Sequence, residues 1–320
     1  MTASIGFLLT GWLSLARAVD KVSVFVSILP QKYFVQKIGG DLVDVSVLVE
    51  PGASPATYEP KPKQMVSLSK AKIYYAIGVP FEKVWLPKIA ATNPKMKVVR
   101  TDDGITKIPM TVQHLYGKKE QPAEGIHPEA FGQHEMGQHH AGSELGRFEA
   151  DHRHGEPDPH IWLSPPLVMI QVRRILTALQ AVDPAHRTDY EANYKGFILE
   201  LVDLDAELRN TFVGHQGLKF LVFHPSWGYF AQAYGLQQLP VEAEGKDPKP
   251  AQLTEIIEYA RRRNIRVVFV QPQFSTKSAA MIAKAIGAEI VFADPLAEDW
   301  AVNLRHQARK FKNAMKKAMP

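Results

Sequence analysis

The 320-residue chain contains no cysteine. Disulfides and thiolate metal ligands are therefore excluded, and no lipid attachment through an N-terminal cysteine is expected. The HExxH pattern, which places two zinc ligands and a general base on one helix, is also missing. The net charge of +5 and the pI of about 9.1 are mild for this length, so we expect no nucleic-acid partner. With 45% hydrophobic residues, the chain can bury a sizeable core.

Long apolar runs are missing too, apart from a short one near the N-terminus. The run from Ile5 to Leu15 is too short to span a bilayer, which takes about 20 residues in a helix. It precedes Ala16-Arg17-Ala18, a small-x-small site typical of signal-peptide cleavage. The first residues lack Lys and Arg, and a buried N-terminal strand or helix is the alternative interpretation. We predict a signal peptide over residues 1–18 and an exported, soluble mature protein.

Strand-like and helical patterns alternate through most of the remaining chain. Val22 to Ile28 and Val43 to Val49 are rich in β-branched residues and are followed by turn residues. A second alternating series contains the strand-like runs LKFLVFH, IRVVFVQ and EIVFAD. Alternation of this kind favours parallel sheets covered by helices, so we predict the α/β fold class.

The segment from Asp183 to Phe212 has the clearest helical pattern. Asp183 suits the N-cap, Pro184 suits the first turn, and apolar residues recur at spacings of three and four. Roughly 28 residues at 1.5 Å each give a rod about 40 Å long. We therefore predict an N-terminal lobe over residues 19–182, a linker helix over 183–212 and a C-terminal lobe over 213–320.

Histidine is concentrated in a segment without visible periodicity, from about residue 104 to residue 157. Seven of the 12 histidines fall there, among Gly, Gln, Glu and Lys. We interpret the segment as a mobile insertion in the N-terminal lobe. It either catches metal ions transiently and raises their local concentration, or is a solvated polar loop without function. The candidate accessory histidines are His127, His134, His139, His140, His152 and His154.

Three further residues are candidate metal ligands because of where they stand along the chain. His224 ends the run LKFLVFH, Asp294 ends the run EIVFAD, and His160 stands between Pro159 and an apolar turn. The carboxyl ends of strands in open α/β sheets converge on a ligand crevice. Two imidazoles and a carboxylate there would suit Zn²⁺. Each residue also has an ordinary alternative, a hydrogen-bonded structural histidine or an Asp-Pro turn, and spacing leaves the choice open.

Five motifs together resemble a known family. PGASPATYEPKP, DPHIWLSP, FHPSWGYFAQAYGL, EGKDPKPAQL and VFADPL occur in the order seen in the zinc-binding substrate-binding proteins of bacterial ABC importers, the ZnuA/TroA group. The resemblance covers about residues 22–318. It implies two α/β lobes joined by one long rigid helix, with the metal in the cleft between them. It also implies that His160, His224 and Asp294 occupy ligand positions.

The same resemblance implies the cargo and the partner. A histidine at the position of His224 is the zinc-type pattern, so Zn²⁺ is expected rather than Mn²⁺ or another divalent ion. The expected function is capture of zinc in the periplasm by a monomeric carrier, which delivers it to the membrane permease of an ABC importer. No enzymatic activity is expected.

One position departs from the family pattern. The family has its first histidine ligand where PATYEP places Ala56, and a methyl group cannot coordinate a metal. Three explanations are open: an engineered substitution, water as the fourth ligand, or replacement by another residue, with Glu59 or a histidine of the insertion as candidates. Asp158 is expected either to orient His160 by accepting a hydrogen bond or to cap the turn that follows.

Two other functions are compatible with such a ligand set. Two histidines, one aspartate and an open position also describe a catalytic zinc site, so a zinc-dependent hydrolase is one alternative. Against it, no motif supplies a general base beside the ligands. A metal-storage protein or adhesin of the same fold is the other alternative. Storage predicts many weakly bound zinc ions, whereas a carrier predicts one tightly bound ion.

Overall fold

The computed structural model describes residues 20–110, 156–242, 248–274 and 277–318. The predicted signal peptide and the six candidate accessory histidines lie outside the described residues. Within the described ranges, no helix is both long enough and apolar enough to cross a bilayer.

The first lobe is built on a parallel four-stranded sheet with the order β2-β1-β3-β4. The central strands β1 and β3 are almost fully buried, as expected of parallel strands covered by helices. The strands are β1 (Val22–Val26), β2 (Val43–Val47), β3 (Ile73–Ala76) and β4 (Lys97–Arg100). The helices are α1 (Leu29–Gly39), α2 (Pro62–Leu68), α3 (Pro80–Thr92) and α4 (Pro165–Val182).

The second lobe repeats this strand order as β6-β5-β7-β8, again with parallel pairing throughout. Its β6 was not predicted, because its QQLP sequence lacks a β-branched run. The strands are β5 (Lys219–Val222), β6 (Gln237–Pro240), β7 (Val267–Val270) and β8 (Glu289–Phe292). The helices are α6 (Gly228–Ala233), α7 (Pro250–Arg262), α8 (Lys277–Ile286) and α9 (Trp300–Ala318). The predicted α/β class with two parallel sheets is confirmed.

The predicted long helix is present but begins later than expected. Pro184–His186 form a 3-10 turn, and the helix α5 covers the 25 residues Arg187–Thr211. The carboxylate of Asp183 does not cap the helix, because it accepts hydrogen bonds from the His186 ring and the Tyr190 hydroxyl, both at 2.7 Å. Helix α5 packs against α1, α4 and α9. The division of the chain at residues 183 and 212 stays a prediction.

The two lobes share one hydrophobic core. One cluster of buried apolar residues contains side chains from both sheets and from α5 and α9. Trp300, at the start of α9, packs edge-on against Phe34 of α1 with 5.0 Å between the ring centroids. Lys32 of α1 also forms an ion pair with Glu298, which precedes α9. Because the pair is partly exposed, we attribute the cohesion of the lobes to the aromatic contact.

The two ends of the predicted insertion, residues 104–110 and 156–157, are among the described residues, and the extent of the insertion stays a prediction. Pro109 and Pro157 form an antiparallel bridge, and the Met110 N–H donates to the Glu156 carbonyl at 2.8 Å. Residues 104–110 and 156–157 therefore belong to the folded lobe. Met110 and Glu156, the described residues on either side of residues 111–155, are thus neighbours in space.

Candidate metal centre

Two of the three predicted ligands lie next to each other. The Nε2 atoms of His160 and His224 are 3.4 Å apart. His224 stands two residues after the end of β5, and His160 immediately precedes the 3-10 turn Ile161–Leu163. Their side chains are only 9% and 14% exposed, so water screens the pair weakly.

Each imidazole is bound through Nδ1 by a buried carboxylate. Oδ1 of Asp158 lies 2.7 Å from Nδ1 of His160 and also accepts the backbone N–H of His160 at 2.8 Å. Asp158 thus has the first of its two alternative roles, orienting the His160 ring, whereas the 3-10 turn Ile161–Leu163 has no side-chain cap among the described residues. Glu242 binds Nδ1 of His224 in the same way. When each neutral ring donates its Nδ1–H outward, both Nε2 lone pairs point toward the same small space.

Neighbouring side chains fix the two rings further. Gln271 accepts the backbone N–H of His224 at 3.1 Å and donates to its carbonyl at 2.6 Å. Phe274 stacks on the His224 ring with 4.6 Å between centroids. Trp162 packs against the His160 ring at 5.1 Å. The pair is therefore held by its backbone and its ring faces as well as by the carboxylates, which preorganises it for a ligand.

A cavity of about 50 Å³ lies against the pair, and Ser54, Pro55 and Ala56 form part of its wall. The space is therefore large enough to hold a single ion together with water. The position that departs from the family pattern, Ala56, is thus in the wall of this cavity. The side chain of Glu59 is exposed, and Glu59 is not among the described residues that line the cavity.

Asp294 lines a separate cavity of about 260 Å³, together with Glu50 and Glu298. Gln273 and Leu296 line both cavities and so form a shared wall. Oδ1 of Asp294 accepts hydrogen bonds from the Gln273 side chain and from the Leu296 backbone N–H, both at 2.9 Å. These two donors hold the carboxylate on its own side of the wall.

The described residues therefore bring together His160 and His224 but not Asp294. No group of three or more His, Asp or Glu side chains that could hold one metal ion occurs in the ranges that the structure describes. Ligation by Asp294 or by Glu59 stays a prediction.

Glu242 and Gln271 hold His224 in place, and neither was predicted from the sequence. Glu242 follows β6 by two residues, and Gln271 directly follows β7. Both obey the rule that residues after parallel strands meet at one edge of the sheet. The position of Glu242 could not be predicted, because the QQLP sequence of β6 does not indicate a strand.

Burial lowers the pKa of His160 below its ordinary value of 6.5, and the negative charge of Asp158 opposes this shift only in part. The neutral ring therefore persists to lower pH than in a free histidine. Because a metal binds only the neutral imidazole, this environment favours metal binding.

The chain is similar to known proteins over most of its length. The family model described as "ZnuA: Zinc-uptake complex component A periplasmic" matches residues 24–314. The high-affinity zinc uptake system protein ZnuA of Bacillus subtilis (strain 168) is 28% identical over 272 residues, which are 84% of this chain and 77% of that protein. A crystal structure of ZnuA is 40% identical, with a TM-score of 0.76 over 92% of this chain and 99% of the other. A zinc-bound deletion mutant of ZnuA is 42% identical, with the same TM-score over 92% and 98% of the two chains. Since the family model matches most of its length, the chain belongs to the ZnuA family.

Proposed function

We propose that this protein captures Zn²⁺ in the periplasm and delivers it to the membrane permease of an ABC importer. The observation that carries the proposal is the 3.4 Å separation of the Nε2 atoms of His160 and His224. Two nitrogens that each lie about 2.05 Å from one ion, at a tetrahedral angle, stand about 3.3 Å apart. The pair therefore fits Zn²⁺ with almost no rearrangement. Imidazole nitrogen also favours Zn²⁺ over Mn²⁺, which prefers oxygen ligands.

Asp294 is the proposed third ligand. Its cavity and that of the histidines share Gln273 and Leu296 as lining residues. Rotation of the Gln273 side chain would remove one of the two donors to Oδ1 of Asp294 and open part of this shared wall. Water takes the fourth position in this proposal, because the Ala56 methyl leaves it open.

Replacing Ala56 with histidine is expected to tighten zinc binding about tenfold or more, which corresponds to about 1.4 kcal/mol. Ala56 lines the cavity of the histidine pair, so an imidazole there supplies a further ligand. A competition titration against a chelator of known affinity measures the change. Thr57→His is the matched control, since Thr57 is exposed and is not among the described lining residues. Equal affinity of Ala56→His and the unchanged protein would mean that another residue already completes the site.

Zinc affinity is expected to be nearly constant from pH 8 to about pH 6.5 and to fall below it, because protonation of the imidazoles then competes with the metal. The direction follows from His160, whose pKa is lowered from 6.5, so that its proton competes only at lower pH. Competition titrations at several pH values measure the profile. A flat profile down to pH 5 would count against histidine ligation.

The experiment that tests the function compares zinc titrations of the full chain and of a variant in which residues 111–155 are replaced by Asn-Gly. The hydrogen-bonded approach of Met110 and Glu156 makes a two-residue turn a suitable join. Both proteins are expected to keep one tight zinc site, with additional weaker ions bound by the full chain alone. Loss of the tight site in the variant would identify a histidine of that segment as a ligand.

The same samples distinguish the other candidate functions. A carrier leaves generic ester and phosphate substrates unchanged when loaded with zinc, whereas a hydrolase cleaves at least one of them. A storage protein binds many zinc ions of similar weak affinity and lacks a single tight site. Either result would overturn the proposal of a zinc carrier.

A further inference from the structure

Glu242 is a buried carboxylate that contacts a proposed metal ligand but is not itself one of the proposed ligands. It is 3% exposed, and its side chain is hydrogen-bonded to Nδ1 of His224. Its backbone N–H donates to the carbonyl of Phe223 at 3.0 Å, so it is anchored to the residue before His224. Among the described residues, the His224 ring is the one side chain that is hydrogen-bonded to the Glu242 carboxylate.

This environment determines which nitrogen of His224 carries the proton. A buried carboxylate is costly unless it accepts hydrogen bonds, and the ring N–H is the donor that faces Glu242. Placing the proton on Nδ1 leaves Nε2 with its lone pair directed toward His160. In the opposite tautomer, the lone pair of Nδ1 would face a lone pair of the Glu242 carboxylate, and the hydrogen on Nε2 would point into the cavity.

The two histidines differ in how firmly their carboxylate partners are tied to them. Asp158 binds both the ring and the backbone of His160, within a stretch of three residues. Glu242 lies 18 residues after His224 in the sequence, just beyond the end of β6. The direction of His224 therefore depends on a long-range contact, which one substitution can remove without altering the local turn.

We infer that Glu242 is a positioning residue that fixes the tautomer of His224 and directs its Nε2 lone pair into the metal cavity. The consequence for zinc affinity rests on the proposed function, because His224 must be a ligand for its direction to matter. Hydrogen-bond partners of ligating histidines also raise the basicity of the ring. Removing the carboxylate therefore has two effects, since the ring loses both its fixed tautomer and part of its basicity.

The test uses Glu242→Ala and Glu242→Gln in the full chain, with Glu82→Gln as the matched control. Glu82 is also buried, at 4% exposure, and accepts hydrogen bonds from Ser27 and from the backbone N–H groups of Ile77 and Gly78. It makes no recorded hydrogen bond with either histidine of the described site. Its replacement therefore reproduces the loss of a buried carboxylate at a residue that is not among the described lining residues of the cavity.

Two readouts separate positioning from a general loss of stability. Nitrogen-15 NMR of histidine-labelled, metal-free protein reports which ring nitrogen of His224 carries the proton. The absorption spectrum of bound Co²⁺, together with a zinc competition titration, reports the geometry and affinity of the site. Thermal unfolding of each metal-free variant identifies any loss of stability.

Glu242→Ala is expected to lose the fixed Nδ1–H tautomer, alter the Co²⁺ spectrum and weaken zinc binding by about 10- to 100-fold. Glu242→Gln keeps an acceptor oxygen, so it should retain the tautomer and lose less affinity. Glu82→Gln should match the unchanged protein in tautomer, spectrum and affinity.

An unchanged His224 tautomer in a folded Glu242→Ala protein would overturn the inference, whatever its zinc affinity. Equal losses of affinity in Glu242→Ala and Glu82→Gln would also overturn it, since the effect would then be one of stability. If the tautomer changes as expected but the unchanged protein has no tight zinc site, the positioning role holds and the proposed function fails.

Discussion

Replacing His224 with alanine is expected to lower zinc affinity about a hundredfold or more. A four-ligand zinc site binds with roughly 10–16 kcal/mol, so one ligand contributes on the order of 3 kcal/mol. His224 supplies one of the two nitrogens that the structure places 3.4 Å apart. A competition titration with a chromophoric chelator measures the loss.

The same substitution has a second effect, on folding. It leaves Glu242 buried without its ring partner and removes the side chain that Phe274 stacks on. An unpaired buried polar group costs about 1–3 kcal/mol, and a charged one costs more. The metal-free variant should therefore also unfold more easily. Performing the titration well below the melting temperature keeps the two effects apart.

His215→Ala is the matched control for this prediction. His215 lies in the same lobe, is partly exposed, and contacts the carbonyl of Val213 two residues away. Its loss should leave zinc affinity unchanged. If His224→Ala bound zinc as tightly as His215→Ala, the histidine pair could not be the metal site.

Replacing Trp162 with alanine is expected to lower the free energy of unfolding by about 3–5 kcal/mol, as for other buried aromatic residues. The side chain is 1% exposed, and its Nε1–H donates to the carbonyl of Pro295 at 2.7 Å. The carbonyl of Trp162 in turn accepts the Nε1–H of Trp300 at 2.7 Å. The substitution therefore leaves a cavity and an unpaired carbonyl between His160 and Asp294.

Urea unfolding measures this loss as a shift of the midpoint at constant slope. Trp162→Phe keeps most of the packing and removes the donor, so it should lose only about 1–3 kcal/mol. Trp85→Ala is the control, since Trp85 is only partly buried on α3 and should contribute less. A loss for Trp162→Ala no larger than that for Trp85→Ala would contradict the assigned role.

Sequence alone predicted the parts of this molecule that depend on local pattern. The β-branched runs around Val24 and Val45 became strands, and the spacing of apolar residues in α5 identified the long helix. His160 was singled out because Pro159 and an apolar turn flank it. These signals are contained within a few residues of one another, so they are visible without knowledge of the fold.

The remaining features depend on contacts between distant segments. Glu242 meets His224 only because β6 pairs with β5, and the QQLP sequence of β6 gives no strand signal. The location of Asp294 in its own cavity depends on the side-chain conformation of Gln273, which no spacing rule predicts. The start of α5 was misplaced because Asp183 binds a ring and a hydroxyl rather than the helix terminus.

The repeated strand order of the two sheets gives Asp294 a counterpart in the first lobe. Asp102 stands two residues after β4, as Asp294 stands two residues after β8. Burial alone would raise the pKa of Asp102, but hydrogen bonds from Lys107 and Arg100 outweigh it and hold the pKa below its ordinary value. Lys107 approaches that carboxylate to 2.6 Å. The first lobe thus carries a permanent internal counter-ion at this point of the fold.

In the second lobe, no ion pair to Asp294 occurs among the described residues, and the donors recorded there are neutral amides. Two halves of equal topology thus treat the same position in opposite ways. In the first lobe, the ammonium group of Lys107 balances the charge of Asp102 within the protein itself. In the other half, the described donors to the aspartate carry no charge, as expected if Asp294 has its proposed role as a ligand to a cation.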